Sequence, residues 1–185
     1  MNLVQRAAQS GGKLAPLIIT KSITGGIGLM NPSILIDDDG EIIVNLRQVN
    51  YSLYHSENKQ MFPSYWGPLS YIHPENDMTL RTTNYLMRLD DNLHVKDYTV
   101  VDTSMLDEEP KWHFIGQEDA RLAKWDGNYY LIGVRRDREP VRTRTPGEGR
   151  MEYSKIDLDK KNWKAKEIQR VRIPAPNEDN SYCEK

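Results

Sequence analysis

Ser33-Ile34-Leu35-Ile36-Asp37-Asp38-Asp39-Gly40-Glu41-Ile42-Ile43-Val44-Asn45-Leu46-Arg47 holds two short apolar runs on either side of an Asp-Gly turn. Two β-type runs around Asp-Gly are the strongest short-range hairpin signal a sequence carries. The layout returns downstream: Ala120-Arg121-Leu122-Ala123-Lys124 leads through Trp125 to Asp126-Gly127, and Asn128-Tyr129-Tyr130-Leu131-Ile132-Gly133-Val134-Arg135 follows. The turn aspartates, Asp39 and Asp126, are 87 residues apart, and at that offset Leu35 falls on Leu122, Ile43 on Tyr130 and Val44 on Leu131. No window of helical length carries an apolar stripe at i, i+3, i+4, i+7 with caps.

A second pair of strands follows each hairpin. Asn84–Leu89 meets a turn at Asp90-Asp91-Asn92 and continues as Leu93–Val101, and Met151–Ile156 meets Asp157–Asn162 and continues as Trp163–Ile173. Repeated four-stranded meanders are the signature of a β-propeller, whereas a single antiparallel sandwich would need the repeat to be a coincidence. The expected fold is all-β: a partial β-propeller of about two four-stranded antiparallel blades plus the start of a third. Residues 1–28 form a lead-in and 29–102 blade one. Blade two is 103–174, and 175–185 open blade three. Ser33–Ile36 and Ala120–Lys124 are expected innermost and side by side. Two blades do not close a propeller, so the chain reads as the N-terminal part of a longer protein. Standing alone, it would expose a sheet edge and self-associate.

Composition narrows the function classes. The 185 residues carry 25 Lys+Arg against 27 Asp+Glu, a net charge of −2, with a pI of about 6.1 and a mean hydropathy of −0.71. No cationic field recruits nucleic acid or anionic lipid, and no apolar run approaches the roughly 20 residues of a membrane span. Cys183 is the only cysteine, which excludes an internal disulfide and any Cys-rich zinc site. The histidines lack metal-ligand spacing, and Met1–Thr20 lacks the apolar core of a secretory signal, so the expected compartment is cytoplasmic.

Blade one carries an insertion over 51–83, rich in aromatics that include Tyr65 and Trp66. A loop of that length in a compact domain is usually functional. It is expected to fold over the mouth of the propeller and bring Tyr65 or Trp66 there. At that mouth the inner strands begin, with Asn31-Pro32-Ser33 in blade one and Gly116-Gln117-Glu118-Asp119-Ala120-Arg121 in blade two. Asp119 is the candidate catalytic carboxylate. Strand alternation puts Arg121 on its face, where it could hold or polarise the acid. The plainer reading of Glu118 and Asp119 is as exposed turn residues. The stretch from Arg135 to Arg150 holds six arginines and reads as an electropositive loop over the channel or as solvated surface.

Gly116-Gln117-Glu118-Asp119-Ala120-Arg121, with Trp125-Asp126-Gly127-Asn128-Tyr129-Tyr130, resembles the Gly-x-Glu-Asp-Pro-Arg segment and following hairpin of the mannoside phosphorylases and mannosidases of glycoside hydrolase family 130. Asn31-Pro32-Ser33-Ile34 and Val44-Asn45-Leu46-Arg47 are similar to that family's first blade, and the layout is shared by the wider five-bladed glycosidase superfamily. The resemblance covers about Leu29 to Lys185, less the insertion. It implies cleavage of a β-mannoside-like bond by phosphorolysis or hydrolysis, with Asp119 the sole general acid and inorganic phosphate a co-substrate in an inverting reaction. No other cofactor and no metal are implied.

The arabinanase-like relatives place an Asp base where this chain has Asn31, and an amide cannot serve as that base. Ala120 stands where the family has Pro. Asn31, Arg47, Glu118, Arg121, Tyr65 and Trp66 would contact an oligosaccharide or glycoside substrate. Arg47, Arg135, Arg136 and Lys185 are the candidate phosphate ligands, because arginine's planar fork bonds two oxygens. The alternative is a non-catalytic glycan-binding or scaffold module, such as one fused to a glycosyltransferase.

Overall fold

A computed structural model describes residues 2–12, 17–25, 28–52, 61–64, 67–71, 79–110, 114–136 and 149–173. The chain is all-β. Two short helices, α1 (Leu3–Gln9) and α2 (Lys21–Thr24), precede β1 (Gly28–Ile36), β2 (Ile42–Val49), β3 (Tyr51–Ser52), β4 (Met61–Ser64), β5 (Gly67–Tyr71), β6 (Leu80–Leu89) and β7 (Val95–Asp102). Then follow β8 (Phe114–Ile115), β9 (Gln117–Trp125), β10 (Asn128–Arg135), β11 (Arg150–Asp159) and β12 (Lys164–Arg172). Helix α1 buries no residue and rests on a reciprocal capping box between Asn2 and Gln5. The sequence reading, which looked for an apolar stripe, missed it. No helix among the described residues is long and apolar enough to cross a membrane.

Both hairpins form, with different turns. Asp37 N–H bonds the Glu41 carbonyl and Gly40 closes a three-residue loop at φ +83°. The second turn has two residues, Asp126 and Gly127, both at positive φ, the conformation of a primed turn that Asp and Gly accept at little steric cost. Each hairpin extends into an antiparallel meander, β1-β2-β6-β7 and β9-β10-β11-β12. Strand β11 runs to Asp159, past the turn expected at Asp157, because Leu158 packs on the core between the meanders.

The meanders join through one short parallel pairing of β7 with β12, Val101 with Ala165 and Asp102 with Lys166. Eight strands thus follow one path, β1-β2-β6-β7-β12-β11-β10-β9, a nearly closed barrel-like sheet. This links two units that the sequence reading kept apart as blades. The path's ends, β1 and β9, lie side by side. Side chains bridge them: Leu122 N–H donates to Ser33 Oγ at 2.9 Å, Arg121 Nη1 to the Pro32 carbonyl at 3.0 Å, and Asn45 Nδ2, on β2, to the Ala120 carbonyl at 3.0 Å.

The core between the meanders gathers Ile43, Leu86 and Val101 of the first with Leu122, Leu131, Ile156 and Trp163 of the second. A second cluster, around Val44, Leu46 and Met87, lies on the first meander's outward face and is partly covered by Leu17, Ile19 and Ile23. Trp163 donates its indole N–H to the Leu86 carbonyl at 3.1 Å and stacks under Arg88. Within the 51–83 insertion, β3, β5 and β4 form a small antiparallel sheet.

Candidate functional site

The starts of β1 and β9 depart from regular strand in the same way. Register shifts between Met30 and Ser33 against β2, and between Glu118 and Arg121 against β10. Each bulge puts one residue in the left-handed region, Asn31 at φ 51° and Asp119 at φ 50°. Asn and Asp are the non-glycine residues that adopt this conformation most readily, so both repeats carry a compatible residue at the bulge. Opposite the second bulge stands Gly133. A Cβ there would lie 2.9 Å from Ala120 Cα and closer still to the Glu118 carbonyl oxygen. Gly133→Ala is therefore expected to cost about 1–3 kcal/mol through overpacking, read as a lowered urea midpoint at unchanged m. Wild-type stability in that variant would show that β10 can shift away from the bulge.

The bulges bring the two repeats together. Asn31 Nδ2 donates to Asp119 Oδ1, and Arg47 Nη1 donates to the same oxygen at 2.7 Å. Arg47 is buried. Its Nη2 donates to Tyr51 Oη at 2.8 Å and, with Nε, to Thr82 Oγ1 at 3.2 Å. A buried guanidinium bonded on three sides is a fixed charge rather than a solvated one. Burial, together with the charge of Glu118, pushes the Tyr51 phenol above its usual range, so it stays a neutral partner. Glu118 lies 3.7 Å from Arg47 Nη2 and 3.5 Å from Arg136 Nε.

Beneath this group runs a chain of buried amides. Asn45 Nδ2 reaches Asn84 Oδ1 at 3.2 Å as well as the Ala120 carbonyl, Asn84 Nδ2 donates to the Gln117 carbonyl at 2.9 Å, and Gln117 Nε2 donates to the carbonyls of Leu131 and Glu152. These bonds hold the main chain on both sides of Asp119. Sequence reasoning did not single out Asn45, Asn84 or Gln117. The available signal was a polar residue inside an apolar run, Ile43-Val44-Asn45-Leu46, where an unbonded amide would be costly.

The remaining candidates divide. Arg121 is exposed and tied to Pro32. The bulge at Asp119 breaks the alternation that would put the two on one face. Arg135 is buried and paired with Glu152 at 3.1 Å on β11, lining a cavity with Thr82, Asn84 and Gln117. Tyr65, Trp66 and Lys185 lie outside the described residues. Among the described residues no group of three or more His, Cys, Asp or Glu side chains could hold a metal ion. The arrangement can position a carboxylate for proton transfer beside a rigid cation, with an amide that can bond a hydroxyl. Comparison with protein families, with curated proteins and with solved structures finds no match.

Proposed function

We propose that this chain is carbohydrate-active, with its two meanders as neighbouring blades of a five-bladed glycosidase-type propeller and Asp119 as the acid that cleaves a β-mannoside-like bond. The observation that carries this reading is the convergence of Asn31, Arg47 and Asp119 from two repeats at matching bulges. Support for the blades comes from the faces. By strand register Ile43 corresponds to Tyr130, yet Ile43 points into the shared core while Tyr130 meets Tyr153 on the far side. Repeats stacked by rotation use opposite faces in this way, whereas two sheets packed about a two-fold would both turn equivalent residues inward. The backbone ladders fit this reading: five to eight paired residues within a meander against two between them.

Asp119 protonates the glycosidic oxygen as the bond to the anomeric carbon breaks, and phosphate attacks that carbon from the opposite side. The products are a sugar 1-phosphate and the free leaving alcohol. Phosphorolysis is preferred to hydrolysis because Asn31 cannot activate water, while Arg47 and Arg136 offer forks for an oxyanion. Asp119 is ion-paired with Arg47. An incoming phosphate would share that guanidinium with Asp119.

The test is to incubate the protein with mannose-containing disaccharides of several linkages, with and without phosphate, and to follow mannose 1-phosphate. Its appearance only with phosphate is the expected result. Equal hydrolysis in both buffers would reject phosphorolysis. Binding without any cleavage would favour the glycan-binding alternative.

A further inference from the structure

Along the seam between the meanders, alternate residues of each strand face inward, and toward the Asp119 end the strands turn polar together. On that face Leu86 of β6 gives way to Asn84 and Thr82, and Leu131 of β10 to Arg135. Ile156 of β11 gives way to Ser154, and Ala165 of β12 to Glu167. These polar residues are buried, yet they do not close on one another. They surround a cavity of about 280 Å³, with Val101, Leu131 and Ile156 on its apolar side and the exposed Arg81, Asp102 and Ser104 at its rim. Gly116, at φ +96°, closes the wall beside Thr82, where a Cβ would overlap the Thr82 carbonyl oxygen. Asn31, Arg47 and Asp119 lie outside the lining. The volume is at the small end of ligand cavities, which begin at roughly 300 Å³, so it suits a single small ring rather than a chain of sugars.

We propose that this cavity is a second binding site, separate from Asp119, for a neutral polyhydroxylated ring of monosaccharide size. The wall charges decide against an ion. Arg135 pairs with Glu152 at 3.1 Å, and Glu167 accepts from Arg170 Nε at 3.0 Å, while Arg170 Nη2 also donates to Asp107 at 3.0 Å. Both signs are therefore fixed in the wall. An anion drawn to Arg135 meets Glu167 and Asp107, and a cation drawn to Glu167 meets Arg135. Either gives up its hydration for a balanced field. A hydroxyl does better. Arg135 Nη2 and Glu167 Oε2 stand 3.9 Å apart, beyond hydrogen-bond range, and one hydroxyl between them accepts from the first and donates to the second. Ser154 Oγ and the Gln117 carboxamide, 3.3 Å apart on the same wall, offer further donors and acceptors. The C–H faces of a ring then lie on Val101, Leu131 and Ile156. This gives Arg135 a hydroxyl to bind in place of the phosphate that its sequence position suggested, and it stands independently of the reaction assigned to Asp119.

Titration with myo-inositol, followed by the NMR signals of the Asn84 and Gln117 side-chain amides, tests this. The probe is an uncharged ring with a hydroxyl on every carbon and no glycosidic bond, so its binding is read apart from any cleavage at Asp119. Saturable shifts of both signals are expected, and neither inorganic phosphate nor cyclohexylammonium should displace the probe. Ser154→Phe, which fills the cavity from its polar wall, should abolish the titration, whereas Asp119→Asn should leave it unchanged. Thermal melts establish that the variants fold, and Val101→Phe replaces Ser154→Phe if that one does not. Absence of saturation, binding that persists in the filled variant, or displacement by either ion would each overturn the proposal. So would loss of binding in Asp119→Asn, which would move the polyol to the site at the bulges. A protein that binds the probe as expected but cleaves no glycoside keeps this site and loses only the reaction assigned to Asp119.

Discussion

Replacing Asp119 with Asn is expected to lower the rate of glycoside cleavage by about 10²–10⁴-fold, the range that a positioned general acid contributes. The loss should be the same at every phosphate concentration, because the variant keeps the cation and removes only the proton donor. Asn is the suitable probe. It matches Asp in shape, and it tolerates the left-handed backbone that residue 119 adopts at φ 50°, so the bulge survives. Arg47→Lys is expected to behave differently. It keeps a positive charge but loses the planar fork that serves Asp119, Tyr51 and Thr82 together. Its effect should appear first as a raised phosphate requirement. Initial rates across a phosphate series separate the two. An Asp119→Asn variant retaining a tenth or more of the wild-type rate would remove Asp119 from the acid role. A parallel fall in both variants, independent of phosphate, would remove Arg47 from nucleophile binding.

The hairpins were legible because turn chemistry and strand pattern agree locally: Asp-Gly supplies the positive φ, and runs such as Ile42-Ile43-Val44 supply the pleated surface. The meeting of Asn31, Arg47 and Asp119 was legible in outline, since strand starts in repeated meanders share one end. What failed was parity. Alternation put Arg121 beside Asp119, but a bulge adds one residue and resets the alternation, and nothing local in Glu118-Asp119-Ala120 announces it. The partner of Arg135 was hidden for another reason. Glu152 lies across a strand pair and 17 positions away, and the surrounding arginines made that stretch read as solvent-facing. The capping box of α1 shows a third kind of miss, a helix held by end bonds without an apolar face.

At the far end of the strands from Asp119, a second ionic group clamps the meanders, and Asp37→Asn is expected to destabilise the protein by about 3–5 kcal/mol at neutral pH, the cost of removing one member of a buried charge pair. Asp37 is buried at the first hairpin turn. It accepts hydrogen bonds from Lys124 and Tyr129 of the second meander and from Lys160 Nζ at 2.8 Å. Lys160 also pairs with Glu41 at 2.7 Å. Burial alone would push the Asp37 carboxyl up, but the bonds from Lys124, Lys160 and Tyr129 together outweigh it and hold the group well below the usual carboxylate range. A folded-state pKa below the unfolded one means that the stabilisation is present in full above the unfolded value, near 4, and fades as pH falls further. The lysines act with the opposite sign. Their folded values are raised, so their contribution is complete below their unfolded value, near 10.5, and does not change in the neutral range. Urea midpoints for wild type and Asp37→Asn should therefore differ by a constant amount between pH 6 and 9, and the gap should narrow as pH drops below about 4. A gap that stays constant down to pH 2 would show that Asp37 contributes through the shape of the turn rather than through its charge. In that case Asp38 N–H, which already bonds Asp37 Oδ1 at 2.8 Å, is the contact an amide at this position would preserve.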